Sequence, residues 1–264
     1  MKIDVLVAEI GSTTTVVNAF DRINGAEPVF LGQGQAPTSV LAGDVRVGLQ
    51  GAVDDLCRNL GAEDVQYETM LATSSAAGGL RMTVHGLVYD MTVKAAKEAA
   101  LGAGANLHLT TAGVLEEDDL EDIRDIRPNL ILLAGGTDYG ERKTALENAK
   151  RLRELDLDVP VIYAGNVQNQ NRVSRIFEGA RAKLYITENV YPRLDELNIE
   201  PTRRIIHQVF EEHIIKAPGM EGIRDMVTGA ILPTPGAVME CAQLLHDQLG
   251  DLLVLDVGGA TTDI

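Results

Sequence analysis

Tryptophan is absent, and the 264 residues hold only four phenylalanines and six tyrosines. Any core built from this chain is therefore aliphatic. Cysteine is almost absent as well. Cys57 and Cys241 show no CxxC pairing and no zinc-type spacing, which excludes a disulfide framework and leaves two free thiols in a reducing compartment. Positive charge is scarce: 39 acidic residues face 23 basic ones, for a net charge of −16. Nucleic-acid binding needs a basic footprint. The short Arg203-Arg204 pair lies between Glu200 and Glu211 and reads as solvated surface. No apolar run approaches the ~18 residues that a spanning helix needs. The start, MKIDVLVAEIGSTTT, has neither the apolar region nor the cleavage site of a signal peptide. The expectation is a cytoplasmic protein with no nucleic-acid and no membrane partner.

Several binding signatures are missing too. There is no GxxxxGK[ST], so a Walker-type phosphate loop is excluded. The Gly102-Ala103-Gly104 segment lacks a third glycine and follows a helical stretch, so it is no dinucleotide fingerprint. The five histidines, His85, His108, His207, His213 and His246, form no HxxxH or HExxH pair. Nor is there a DxHxxG motif of the kind that supplies an axial histidine to cobalamin, so this chain is not expected to hold cobalamin by itself.

What is present is globular: 45% hydrophobic residues, 23% charged residues and 26 glycines. Residues 3–10, 14–20 and 28–36 read as three short strands of an antiparallel meander, joined at the small residues Gly11-Ser12-Thr13. Val45, Leu49, Val53, Leu56 and Leu60 then recur at helical spacing, with Gly61 as the stop. From Leu107 the rhythm changes. Apolar strands at 129–134 (NLILLA) and 159–164 (VPVIYA) alternate with helices at 116–126, 141–155 and 167–177, the pattern of a parallel sheet covered on both faces. Helices follow at about 202–215 and 236–249, and residues 251–257 read as a strand. The expected fold class is α/β. One domain comprises residues 1–84 and 196–264, and an inserted α/β module comprises about 85–195.

Two segments share a design. Glu9-Ile10-Gly11-Ser12-Thr13-Thr14 places a carboxylate at the end of an apolar strand, then a turn of small hydroxyl residues. Asp256-Val257-Gly258-Gly259-Ala260-Thr261-Thr262 repeats it. Such turns offer N–H and hydroxyl donors to phosphate oxygens, and the carboxylates can position a hydrated Mg²⁺. Either turn alone is equally an ordinary hairpin; the pair is the specific signal. Gly135-Gly136-Thr137-Asp138 and Ala164-Gly165-Asn166-Val167 follow apolar strands. They read as structural turns with helix caps, or alternatively as contacts to a partner subunit. Ser74–Gly79 is a plain connector, a hinge or a nucleotide-side loop, and Glu116–Glu121 a solvated helix start or, alternatively, a patch for a basic partner.

The paired turns resemble the phosphate-1 and phosphate-2 loops of the actin, Hsp70 and sugar-kinase ATPases, whose members usually carry Asp where this chain has Glu9. The ordered series AEIGSTTTVVNAF, MLATSSAAGGLRMTVHGL, LILLAGGTDYG, ALENAKRL, PVIYAGN and LDVGGATTDI is, moreover, similar to the glutamate mutase accessory-protein family of the GlmL/MutL type, over residues 3–264 and the N-terminal part of a member. The resemblance implies an actin-like ATPase (ribonuclease H-like) half-domain interrupted by the parallel module. It implies an ATP-dependent reactivating factor for an adenosylcobalamin-dependent mutase or aminomutase, whose subunits would be its partners. ATP and Mg²⁺ would be the cofactors. Gly11, Ser12, Thr13, Thr14, Gly258, Gly259, Ala260 and Thr261 would contact the phosphates, Glu9 and Asp256 would hold the metal, and Asp256 would also orient the attacking water. An N-terminal fragment alone is expected to bind ATP weakly and to lack activity. The alternatives are an actin-fold small-molecule kinase, marked by substrate-dependent ATP turnover, and a non-catalytic mutase-binding module, marked by the absence of nucleotide binding.

Overall fold

A computed structural model describes residues 1–76, 79–259 and 262–263. The chain divides into two compact units, one of residues 1–79 and 210–264 and the other of residues 80–209.

The first unit is built on a five-stranded sheet. Strands β1 (Lys2–Ile10), β2 (Thr14–Asp21) and β3 (Val29–Pro37) form an antiparallel meander. Helix α1 (Val45–Leu60) follows, and β4 (Gln66–Ser74) then pairs parallel with β1. Asp44 caps α1 by accepting from Arg46 N, and Gly61 ends it in the left-handed conformation at φ 63°. Alternation along the strands sorts the faces. Leu6, Ala8 and Ile10 pair with Ala19, Val17 and Thr15, and all six are buried. Gly34 pairs with Val17 on that same face, directly beneath α1. A β-carbon at Gly34 would overlap Ala52 O and Leu56 N, so glycine is what lets the helix lie this close. Glu9 pairs with Val16 and points to the opposite face.

The far edge of this sheet comes from distant sequence. Strand β10 (Ile231–Pro233) pairs parallel with β4, and Met70 N donates to Thr228 Oγ1 at 3.0 Å. Helix α7 (Thr234–Leu249) leaves directly from β10. Strands β11 (Asp256–Val257) and β12 (Thr262–Asp263) form a separate two-stranded hairpin. The strand expected over residues 251–257 is thus two residues long, and Leu253, Leu255 and Val257 are exposed.

The second unit is a five-stranded, all-parallel sheet in the order β6-β5-β7-β8-β9. Its strands are β5 (Leu80–Gly86), β6 (Ala105–Ala112), β7 (Leu130–Leu133), β8 (Val161–Tyr163) and β9 (Leu184–Ile186). Helices α2 (Lys94–Gly102), α3 (Glu117–Ile126), α4 (Lys143–Glu154) and α5 (Gln170–Ile176) connect them. Every residue of β7 and β8 is buried, as a sheet covered on both faces requires. Leu120, Ile123, Ile131, Leu133, Ala149, Leu152, Tyr163 and Val173 form one aliphatic core. Glu116 caps α3 in a reciprocal pair with Asp119, so the acidic run is a helix start.

Two strands escaped the sequence reading. β5 carries Arg81, Thr83 and His85, and β10 has only three residues. In consequence the expected border at residues 84 and 85 cuts through β5: the unit begins at Leu80. It ends at Val209, inside helix α6 (Glu200–Ile215), rather than at residue 195.

Two outcomes follow from this packing. Gly34→Ala should lower stability by about 2–3 kcal/mol, the cost of overpacking, read as a reduced denaturation midpoint. His85 is fully buried between Thr83 Oγ1 (3.0 Å) and Thr111 Oγ1 (2.9 Å), and burial lowers its pKa from 6.5 to about 3. The unfolded chain therefore takes up the proton first. Stability should fall on acidification below the unfolded pKa, by up to about 1.4 kcal/mol per pH unit from this group. The difference between wild type and His85→Gln in acid denaturation isolates that slope.

Candidate functional site

The β1–β2 turn, Gly11–Thr14, is held on several sides. Gly11 N donates to Thr14 O at 3.0 Å and closes the turn. Thr38 N donates to Thr13 O at 2.9 Å, and Thr38 Oγ1 donates to Gly11 O at 2.8 Å. Ser75 N donates to Ile10 O at 3.0 Å, and Ser12 Oγ donates back to Ser75 O at 3.3 Å. A side chain at Gly11 would meet Thr14 O at 2.7 Å, so the turn requires glycine. The result is a fixed turn with Ser12, Thr13 and Thr14 exposed to solvent.

The β11–β12 hairpin pairs Asp256 with Asp263 and Val257 with Thr262. Gly258 and Gly259 are exposed; Ala260 and Thr261 lie outside the described residues. The two turns line one cavity of about 280 Å³. Glu9, Gly11, Ser12, Thr13 and Thr14 contribute from the first hairpin, and Asp256, Gly258 and Gly259 from the second. They approach closely: a β-carbon on Gly259 would collide with Thr13 Oγ1.

Ser75, from the connector after β4, also lines the cavity, as do two residues that no expected element or site included, Thr234 and Pro235. Thr234 and Pro235 open α7, and their signal was available in Pro233-Thr234-Pro235-Gly236, since proline favours the first turn of a helix. The helix starts two residues before the expected Gly236, and this places its N-terminus, the positive end of the helix dipole, in the cavity wall.

The electrostatics are lopsided. Among the described residues no Lys or Arg lines the cavity. Glu9 is half-buried, and its carboxyl is pushed up first by burial and then by the charge of Asp256. Two carboxylates beside hydroxyl and backbone donors suit a small hard cation that keeps much of its water, together with an anion. Among the described residues there is no cluster of three or more His, Cys, Asp or Glu.

The remaining candidate turns lie elsewhere. Gly135–Asp138 and Ala164–Val167 stand at the carboxyl ends of β7 and β8. Glu141 caps α4 by accepting from Lys143 N and Thr144 N, and Asn166 Oδ1 accepts from Gln168 N. Of the Ser74–Gly79 connector, Ser75 reaches the cavity and Ala77 and Gly78 lie outside the described residues.

Fold and cavity together define a mixed α/β protein with parallel sheets and an oxygen-lined, acid-bearing cavity between two hairpin turns. The chain belongs to the MutL protein family, whose profile matches residues 5–264. It is 40% identical over 265 residues to Protein MutL of Clostridium tetanomorphum, covering 98% of this chain and 56% of that protein. The chain thus spans about half the length of that relative. Among solved structures, nucleotide-free acetone carboxylase matches 72% of this chain and 30% of its own at 13% identity, with a TM-score of 0.31. A glycerol dehydratase reactivase matches 70% of this chain and 30% of its own at 14% identity, with a TM-score of 0.18. At TM-scores this low neither likeness bears on the site. No helix among the described residues is long and apolar enough to cross a membrane.

Burial and then Asp256 raise the pKa of Glu9, so cation binding in the cavity competes with protonation of that carboxyl. If Mg²⁺ binds here, its affinity should rise with pH across the carboxylate range and binding within that range should release protons. Calorimetry in two buffers of different ionisation heat reads the release, and Glu9→Gln should abolish it.

Proposed function

We propose that this chain is the phosphate-gripping part of an ATP-dependent reactivating factor for an adenosylcobalamin-dependent mutase or aminomutase, with an actin-like architecture in its first unit. The observation that carries the reading is the shared cavity. Two hairpins distant in sequence, each with an acid-x-Gly start, meet around one oxygen-lined space. Membership of the MutL protein family supports the same assignment.

The residues present fit Mg²⁺ and a polyphosphate. Glu9 and Asp256 would hold the hydrated cation. Gly11, Ser12, Thr13, Thr14, Gly258, Gly259, Ala260 and Thr261 would contact phosphate oxygens. Without a cation the two carboxylates would repel an anion, so nucleotide would enter as its metal complex. Bound MgATP supplies a phosphoryl group whose transfer to water separates two states of the protein. The chain's own contribution is positioning: the pinned Gly11–Thr14 turn fixes the donors, and the start of α7 adds a favourable dipole. Asp256 would orient the attacking water through its carboxylate oxygens.

The role in reactivation follows from differential affinity. A radical cofactor that loses its adenosyl group leaves inactive cobalamin in the mutase. A factor whose nucleotide states bind the mutase unequally can open it and release that cobalamin. A small-molecule kinase on the same fold would instead show ATP turnover that depends on an acceptor substrate.

In the full-length protein, Asp256→Ala should lower the ATPase rate by about 10²-fold or more and weaken MgATP binding by a smaller factor, because Glu9 and the Gly11–Thr14 turn keep their contacts. Steady-state turnover and equilibrium binding of MgATP, measured side by side, check this; unchanged turnover removes Asp256 from the role.

A further inference from the structure

All strands of the Leu80–Val209 unit run parallel, so their carboxyl ends lie at one edge of the sheet. Every loop leaving that edge exposes an apolar or aromatic side chain. These are Val88 and Tyr89 after β5, Val114 after β6, Tyr139 after β7, Val167 after β8 and Leu194 after β9. Leu197 follows on the last loop. Among the described residues, Leu101 is the unit's one exposed large apolar side chain outside these loops. Scattered surface apolar groups are ordinary; a set confined to one edge is not.

Tyr139 stands out within the set. It is 77% exposed and sits at φ 63°, in the left-handed region that costs a bulky residue free energy. Buried amides hold it there. Asn166 Oδ1 accepts from Tyr139 N at 3.3 Å, and Asn166 Nδ2 donates to Glu141 O at 3.1 Å. Asn189 Nδ2 donates to Gly136 O (2.9 Å) and Asp138 Oδ1 (3.0 Å), and Val167 N donates to that same Asp138 oxygen at 2.9 Å. Asp138 N donates to Pro192 O at 2.9 Å. The loops after β7, β8 and β9 are therefore lashed into one rigid rim. An exposed aromatic on a preorganised rim has the character of an interface anchor, because little freedom remains to be lost on binding.

Charge specifies the partner. Exposed acids outnumber exposed bases around this edge: Asp90, Glu117, Glu141, Glu188 and Asp195 stand against Lys94, Arg142 and Lys143, and Arg193 is engaged by Glu196 at 3.2 Å. An apolar centre inside a border of net negative charge complements a protein surface with an apolar recess and a basic border.

We infer that this carboxyl edge is the docking surface for the mutase, seated on a basic-bordered apolar recess of the mutase protein with Tyr139 as anchor. The inference rests on the reactivating-factor reading and adds the surface through which it acts.

The test uses the full-length protein and the purified mutase of the same organism. Tyr139→Ala should weaken their association about 30-fold or more, as loss of a hot-spot aromatic does. Tyr139→Phe should retain it, ATP turnover should be intact in both variants, and wild-type affinity should fall with added salt. Hydroxyl-radical footprinting should find Tyr139 reactive in the free protein and protected in the complex, which keeps the test decisive if Tyr139→Ala fails to fold. Wild-type binding that survives Tyr139→Ala overturns the surface but not the reactivating role; wild-type protein that never binds the mutase overturns both. Protection of Tyr139 in the free protein assigns the edge to the rest of the chain and overturns the inference. So does self-association that Tyr139→Ala abolishes, which assigns it to a second copy.

Discussion

Strand β1 is paired along nearly its whole length on both sides, antiparallel with β2 and parallel with β4. Little else in the first unit could be placed without that double pairing. It fixes which residues face α1 and which face away, because a shift of one residue would exchange the two sets. Ile10 and Ala8 are thereby committed to the core, and Glu9 to the opposite face. It also brings the end of β4 alongside the Gly11–Thr14 turn, so that Ser75 can hold it. The cavity inherits its rigidity from this strand.

The cavity is a place of deliberate imbalance. Protein interiors ordinarily neutralise a half-buried carboxylate with a cationic neighbour or a set of donors. Here Glu9 meets burial and a second carboxylate instead, and the balancing donors are hydroxyls, backbone N–H groups and a helix start. An arrangement that disfavours its own ionised state stores the capacity to favour a cation. On the proposed function, a bound cation would offset that cost and let phosphate oxygens lie beside the acids.

Much of this was legible in the residues. The meander, α1 with its Asp44 and Gly61 ends, and the strands NLILLA and VPVIYA announce themselves by period and by turn chemistry. So does the repeated acid-x-Gly design, which nominated eight of the cavity's wall residues. What stayed hidden had physical reasons. β5 holds Arg81 and His85, and its burial depends on tertiary partners: Thr83 and Thr111 satisfy the histidine, and Asn129 Oδ1 accepts from Arg81 N. β10 is too short for any periodicity. Conversely, residues 252–255 have a strand's composition without a strand's pairing, since hydrogen-bonded neighbours, not apolarity, make a strand. Tyr139 could not be read as strained from sequence, because its conformation is imposed by Asn166, 27 residues away.

The first unit is interrupted in sequence, and this sets an order of events at the ribosome. β4 is made about 10–30 s before β10 at usual elongation rates of about 5–20 residues per second. Until then the sheet ends in an unfilled edge, and the contact of Met70 N with Thr228 Oγ1, 158 positions apart, cannot form. The parallel unit has all its strands and its own core by Val209. Once folded, it replaces a long floppy loop by a fixed separation between Leu80 and Val209, which lowers the entropic cost of closing β10 onto β4. The interrupting unit is in this sense a splint for the sheet it interrupts. Changes that slow its folding would lengthen the interval during which β4 lies open to the wrong neighbour.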